Sequence, residues 1–188
     1  MPNDRPAEPW LSFLTELDAR LEEPADFHCI GGFVVSQLYG FARETADLDV
    51  LRVIPQQAAE RVVRIAGKGS ELETKHSVYL DYVGVANYPA HYESRLVRAF
   101  PIWERVRLWA LELHDLALTK LERSTERDIR DVIFLAQAGL IGRDTLVARF
   151  ENELEPYISG RTPTWHRTTL MMWVEACWPE EQRSRIRM

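Results

Sequence analysis

Two carboxylates one residue apart, Asp47 and Asp49, carry the most specific chemistry in this chain. In an extended strand, residues i and i+2 share a face. The two acids would therefore converge, while Leu48 and Val50 turn the other way into apolar packing. Adjacent ionised carboxylates repel unless a cation lies between them. Hard divalent ions such as Mg²⁺ or Mn²⁺ take such oxygen ligands, and Mg²⁺ shares them with substrate phosphates. Upstream stands Gly31-Gly32, between an apolar run, Phe27-His28-Cys29-Ile30, and a helix expected over Phe33 to Tyr39. Glycines at a strand-to-helix turn let the backbone approach a phosphate, and the N–H groups of a helix start favour an anion. Alone, an Asp-x-Asp pair is commonly a solvated strand and a Gly-Gly a tight turn. Their succession, with Gly40, Arg43 and Thr45 between them, is far more specific.

The elements that must position these residues follow from periodicity. Trp10, Phe13, Leu14, Leu17 and Leu21 recur at helical spacing over 9–22, which Pro24 ends. Strand one is read at 27–30 and strand two at 47–53. A helix over 56–66 opens after Pro55 and ends at Gly67 and Gly69. Residues 77–85 alternate as strand three, with Tyr79 and Asp81 on one side and Val78 and Leu80 on the other. Asp81 is then a carboxylate on a mostly apolar strand. It is the natural third ligand beside Asp47 and Asp49; a strand-edge aspartate facing water, or paired with an arginine, is the alternative. A short helix or loop is expected at 90–98 and one or two short strands at 100–112. Beyond that the pattern is helical, with Asp115 capping 116–123 and Thr125 and Asp128 at capping-box spacing before a helix that runs to Ala138. Further helices are read at 144–154 and 165–177, separated by Gly160 and Pro163, and the charged final residues are expected to fray. Strands with intervening helices, then helices alone, imply an α+β fold: a small mixed sheet with flanking helices and a helical C-terminal half. The expected division is 1–112 for the α/β core and 113–188 for a helical region that walls its cleft.

Composition sets the outer limits. The chain has 188 residues, 46% hydrophobic and 28% charged, with a net charge of −6 that falls wholly within residues 1–92. A protein of this balance does not attract nucleic acid generically. An RNA contact would be local, through residues such as Arg105, Arg107, Lys120, Arg123, Arg127 and Arg130; a solvated face paired with acids such as Glu122 and Glu126 is the alternative. No run reaches the roughly 18–20 apolar residues of a membrane span, and Met1 to Glu8 does not resemble a signal peptide, so no membrane partner is expected and the cytoplasm is the default. Cys29 and Cys177 and five scattered histidines make no zinc spacing. Trp165, Trp173 and Trp178 with Met171 and Met172 suit a core or a homo-oligomer patch.

The stretch from Gly31-Gly32 through Tyr39-Gly40 to Arg43-x-Thr45-x-Asp47-Leu48-Asp49-Val50 resembles the nucleotidyltransferase signature of the DNA polymerase β superfamily. It is most similar to a small bacterial branch that includes toxin-like nucleotidyltransferases of abortive-infection toxin–antitoxin systems. A second segment agrees: Asp115-Leu116 leading to Lys120-Leu121, then Arg127-Asp128 and Asp131. The resemblance covers roughly residues 27 to 136. Many superfamily members have Gly-Ser where this chain has Gly31-Gly32. The resemblance implies transfer of a nucleoside monophosphate from a nucleoside triphosphate (NTP) to an acceptor hydroxyl on RNA, protein or a small molecule. It implies Mg²⁺ or Mn²⁺ on Asp47, Asp49 and Asp81, phosphate contacts at Gly31 and Gly32, and neutralisation of the triphosphate by Lys120, with Arg43 as a further cation. An antitoxin protein is the implied partner. Two other readings stay open: a nucleotide-binding module without turnover, and an interaction domain in which the acidic pair is structural. Asp128 and Asp131 could orient Lys120 or the acceptor, or pair with Arg127 and Arg130.

Overall fold

A computed structural model of the chain describes residues 3–83, 86–158 and 163–179. The far end of the expected third strand (Gly84 and Val85), the break at Gly160 and the residues from 180 onward lie outside them. The fold is α+β. Its elements are α1 (Trp10–Arg20), β1 (Ala25–Cys29), α2 (Gly31–Phe33, continued by a π-helical turn at Val34–Leu38), β2 (Asp47–Ile54), a 3₁₀ turn (Gln56–Ala58), α3 (Ala59–Ala66), α4 (Glu71–His76) and β3 (Tyr79–Tyr82). After a 3₁₀ turn (Tyr92–Arg95) come β4 (Val97–Ala99), β5 (Val106–Ala110), α5 (Leu113–Thr119), α6 (Glu126–Gln137), α7 (Arg143–Arg149) with π and 3₁₀ extensions to Tyr157, and α8 (Pro163–Cys177).

The chain divides into two compact units, residues 1–85 with 96–111, and residues 86–95 with 112–188. The first holds a five-stranded mixed sheet in the order β3-β2-β1-β5-β4. The pairs β1/β5 and β2/β3 are parallel, and β1/β2 and β4/β5 are antiparallel. Leu48 and Val50 of β2 are fully buried, as the alternation requires. The register then slips: Cys29 pairs with Val50 but His28 pairs with Arg52, so Leu51 is skipped. This bulge moves the buried face from even to odd residues, and Val53 takes it over. On that face pack α1, through Phe13, Leu14 and Leu17, and α3, through Val62 and Ala66. Trp10 meets Phe33 edge-on at 4.8 Å and Phe33 meets Phe100 at 6.2 Å, which pins the start of α2. Glu16 on α1 holds Arg20, Lys75 and His76 at 2.6–2.9 Å and so clamps α4 to α1.

Three elements differ from the sequence reading. Helix α4 is additional; Ser70 caps it by accepting from the Glu73 N–H, a Ser-x-x-Glu spacing that announces a helix start. Strand β4 lies at 97–99, ahead of the stretch expected to hold it. The π turn at Val34–Leu38 means that α2 starts on the glycines themselves.

In the second unit, Asp115 is not a cap. Glu112 caps α5 by accepting from the His114 N–H, and Asp115 is fully buried beneath two arginines. Arg95 reaches Asp115 at 2.8 and 3.1 Å and Glu153 at 2.7 and 3.2 Å, while Arg149 donates to Asp115 at 2.9 Å. This network explains why 86–95 belongs with the helical unit although it is flanked by strands of the other. Thr125 and Asp128 form the full capping box of α6, which runs to Gln137 before Gly139 turns the chain at φ +68°. The tryptophan–methionine group splits: Trp173 is buried, whereas Trp165, Met171 and Met172 are exposed.

Candidate active site

The parallel β2/β3 register pairs Asp47 with Tyr79 and Asp49 with Asp81. Directly paired residues project from the same face of a sheet. The three acids and Tyr79 therefore share the face opposite Leu48, Leu80 and the α1/α3 core. Asp47 and Asp49 are half-buried and Asp81 is exposed. Thr45 orients the first acid by donating its hydroxyl to Asp47 Oδ1 at 2.5 Å.

The two glycines explain how this face is built. Gly31 has φ +76°, in the left-handed region that a side chain disfavours. A Cβ built there would lie 1.8 Å from Asp49 Oδ2, so the carboxylate occupies the space a side chain would fill. A Cβ on Gly32 would lie 2.4 Å from Arg43 Nη2. Both glycines are buried. The sequence reading expects a bare turn open to phosphate. The structure instead rests the chain's own acid and base on that turn. The backbone of Ile30 closes it by donating to the Asp49 carbonyl at 2.9 Å.

Tyr79 was not singled out in the sequence, although its i, i+2 spacing from Asp81 marks it. Burial raises its phenol pKa, and the charges of Asp47, Asp81, Glu73 and Asp49 raise it further. The tyrosine thus registers the negative potential of the whole face. Lys68 lies over its ring, 5.7 Å from the centroid.

Among the described residues, no group of three or more His, Cys, Asp or Glu side chains is gathered to hold a metal ion. Asp81 shares the face without closing a three-carboxylate cage. A pair of carboxylates still fits Mg²⁺, which is held by one or two carboxylates and completed by substrate phosphates. The cradle over Gly31, where Asp49 Oδ2 takes the place of a Cβ, is the observation that favours a built donor set.

Lys120 is held by Asp131 and Asp128, one of the arrangements that the sequence leaves open. It belongs to the helical unit, its side chain is 3% exposed, and its ammonium donates to Asp131 at 2.7 Å with Asp128 at 3.6 Å. An ammonium enclosed this way ties α5 to α6. Asp128 pairs with Arg123 at 2.8 and 3.0 Å, and Arg130 with Glu126 on its own helix; neither Arg127 nor Arg130 serves the two aspartates. Cys29 is a buried small side chain whose thiol burial pushes up to about 12.

Residues 12–173 match the model of a family described as a nucleotidyltransferase of unknown function (DUF6036). No curated protein and no solved structure matches the chain. Among the described residues, no helix is long and apolar enough to cross a membrane.

Proposed function

The chain belongs to this nucleotidyltransferase family, and from that premise we propose that its acidic sheet face performs metal-dependent transfer of a nucleoside monophosphate from an NTP to an acceptor hydroxyl. The observation that carries the reading is the seating of Asp49 on Gly31 beside Asp47, with Asp81 in register on the next strand. Asp47 and Asp49 would hold Mg²⁺ or Mn²⁺, and Asp81 would complete the set once the triphosphate is bound. The metal supplies charge neutralisation for the phosphate oxygens. Arg43, packed on Gly32, is the cation that the sheet unit itself offers to the triphosphate. The Gly31 and Gly32 N–H groups would be the backbone donors to the phosphate.

In the step itself, the acceptor oxygen attacks the α-phosphorus. A new O–P bond forms, the bond from the α-phosphorus to the bridging oxygen breaks, and pyrophosphate leaves. The acceptor proton passes to water, since all three acids would be engaged with the metal. Positioning and charge carry such chemistry, with no covalent nucleophile from the protein. A toxin role, restrained by an antitoxin protein, is the biological setting that the resemblance of the motif supports.

The test is transfer of α-labelled NTP onto cellular RNA, protein and small-molecule fractions in the presence of Mg²⁺. Wild type should label one fraction, and Asp49→Asn should label it at least about a hundredfold less. A second measurement is the rise in melting temperature on adding Mg²⁺ and NTP, which Asp47→Ala/Asp49→Ala should abolish while remaining folded. Equal labelling by wild type and Asp49→Asn would remove the acidic pair from the chemistry.

A further inference from the structure

The face of the sheet opposite the α1/α3 core carries a second cluster, on the strands away from β3. Register sets Asp26 beside Arg107, and His28 beside Trp109, which in turn pairs with Arg98. The Arg98 guanidinium stacks over the Trp109 ring at 5.1 Å. The indole N–H donates to Asp26 Oδ1 at 2.7 Å, which fixes the ring. Arg98, Arg107 and Trp109 are all half-buried.

Two features point to an anionic, aromatic-bearing ligand. Among the described residues, Arg98 has the indole face as its partner and no carboxylate bonded to its donors. Burial lowers its pKa, the Asp26 charge supports it, and the Arg107 charge lowers it again. Two guanidiniums thus share one place with a single carboxylate that is already bonded to the indole. A phosphate would relieve both, since guanidinium donors form a fork that matches its oxygens. Of the other basic residues that the sequence offered to RNA, Lys120 lies against Asp131, Arg123 against Asp128 and Arg130 against Glu126, while Arg105 donates to the Asp18 carbonyl. Arg127 is exposed on α6, with no aromatic plane beside it among the described residues. Aromatic and arginine planes beside a basic patch are how single strands are held without base-edge readout.

We propose that Arg98, Trp109 and Arg107 dock the backbone and a base of a single-stranded nucleic acid, whose terminal hydroxyl is the acceptor at Asp47 and Asp49. The inference rests on the nucleotidyltransferase reading and names its acceptor class. Trp109 and Arg107 on β5 lie two strand spacings from β2 and Arg98 on β4 lies three, so the cluster begins about 10 Å across the sheet from the strand of the acids and reaches about 15 Å. Trp109 is level with Arg52 and Arg107 with Ile54, further along β2 than Asp47 and Asp49, and a few nucleotides of single strand can bridge that span. The net charge of −6 opposes long-range attraction of a polyanion, which makes this contact local.

The experiment measures binding of the full chain to a fluorescein-labelled single-stranded RNA 12-mer by anisotropy, over a range of salt. Arg98→Gln should weaken binding on the order of tenfold and reduce the salt slope by about 0.7, the value of one single-strand phosphate contact. Arg130→Gln should bind the RNA as wild type does, because that arginine is paired with Glu126 and lies outside the docking cluster. Equal affinity of wild type and Arg98→Gln would overturn the proposal. So would equal loss in Arg130→Gln and Arg98→Gln, or competition by a polyglutamate peptide as effective as unlabelled RNA. If Arg98-dependent RNA binding persists but wild type transfers no nucleotide to any fraction, the docking site stands and the transfer reading falls. If transfer is robust while RNA binding ignores Arg98, the reverse holds.

Discussion

Asp49 sits where the side chain of Gly31 would be: a Cβ on that glycine would approach Asp49 Oδ2 to 1.8 Å. The relationship makes the glycine and the acid one unit. Gly31 is needed twice, once for its φ of +76° and once for the space above it. The left-handed backbone alone costs a non-glycine residue about 1–2 kcal/mol. The carboxylate cannot yield without leaving the acidic pair.

Gly31→Ala should therefore lower the unfolding free energy by at least about 2 kcal/mol and also displace Asp49. The check is a urea melt combined with the melting shift on adding Mg²⁺ and NTP. Both the midpoint and the ligand response should fall. Gly40→Ala is the control, since Gly40 also has positive φ but nothing lies within 4 Å of its built Cβ. It should lose stability and keep the ligand response. A Gly31→Ala variant with an intact response would show that Asp49 does not depend on this contact.

Periodicity and paired chemistry made much of this legible. The 3.6-residue spacing of Trp10, Phe13, Leu14 and Leu17 located α1, and the alternation around Asp47 and Asp49 located β2 and its buried face. The capping-box spacing of Thr125 and Asp128 located the start of α6. What stayed hidden depended on contacts distant in sequence. Nothing local shows that Asp115 will be enclosed by Arg95 and Arg149, so an aspartate at a helix start reads as a cap. Nothing local shows that Arg43 will fold back onto Gly32, so the glycines read as an empty phosphate cradle. The contact of Lys120 with Asp128 and Asp131 is legible as one option, but nothing local selects it over a pairing of those acids with Arg127 and Arg130. The three-residue β4 carries too little alternation to stand out.

The capping box of α6 gives a pH signature. Burial works to raise the Asp128 pKa, but the hydrogen bonds from Arg123 and Thr125 and the charge of Lys120 outweigh it and hold the carboxyl at about 2, below its ordinary 3.8. A folded pKa below the unfolded one contributes stability above pH about 4, and that contribution is lost as pH falls towards 2. Asp128→Asn should thus be less stable than wild type by about 2 kcal/mol at pH 7. The gap should narrow between pH 4 and pH 2. Urea melts of both proteins at several pH values measure it. A gap that stayed constant down to pH 2 would show that the ionised carboxylate contributes nothing beyond its shape.

Lys120 offers the sharpest contrast between a structural and a substrate-binding role. The ammonium is 3% exposed, and both acids beside it are fully buried. Removing one partner of a buried pair strands the other charge, which costs about 3–5 kcal/mol. Lys120→Met keeps most of the aliphatic stem and deletes only the charge, so packing loss is small. If the lysine serves the α5–α6 junction, Lys120→Met should lose most of that free energy in a urea melt. Its NTP affinity, measured at a temperature where the variant is folded, should match wild type. Arg43→Ala should do the opposite, weakening NTP binding about tenfold with a melting temperature near that of wild type, because its guanidinium lies over Gly32 beside the acids. Should Lys120→Met prove as stable as wild type and bind NTP tenfold more weakly, the lysine would be a triphosphate ligand after all. The ion pair with Asp131 would then be its resting place between turnovers.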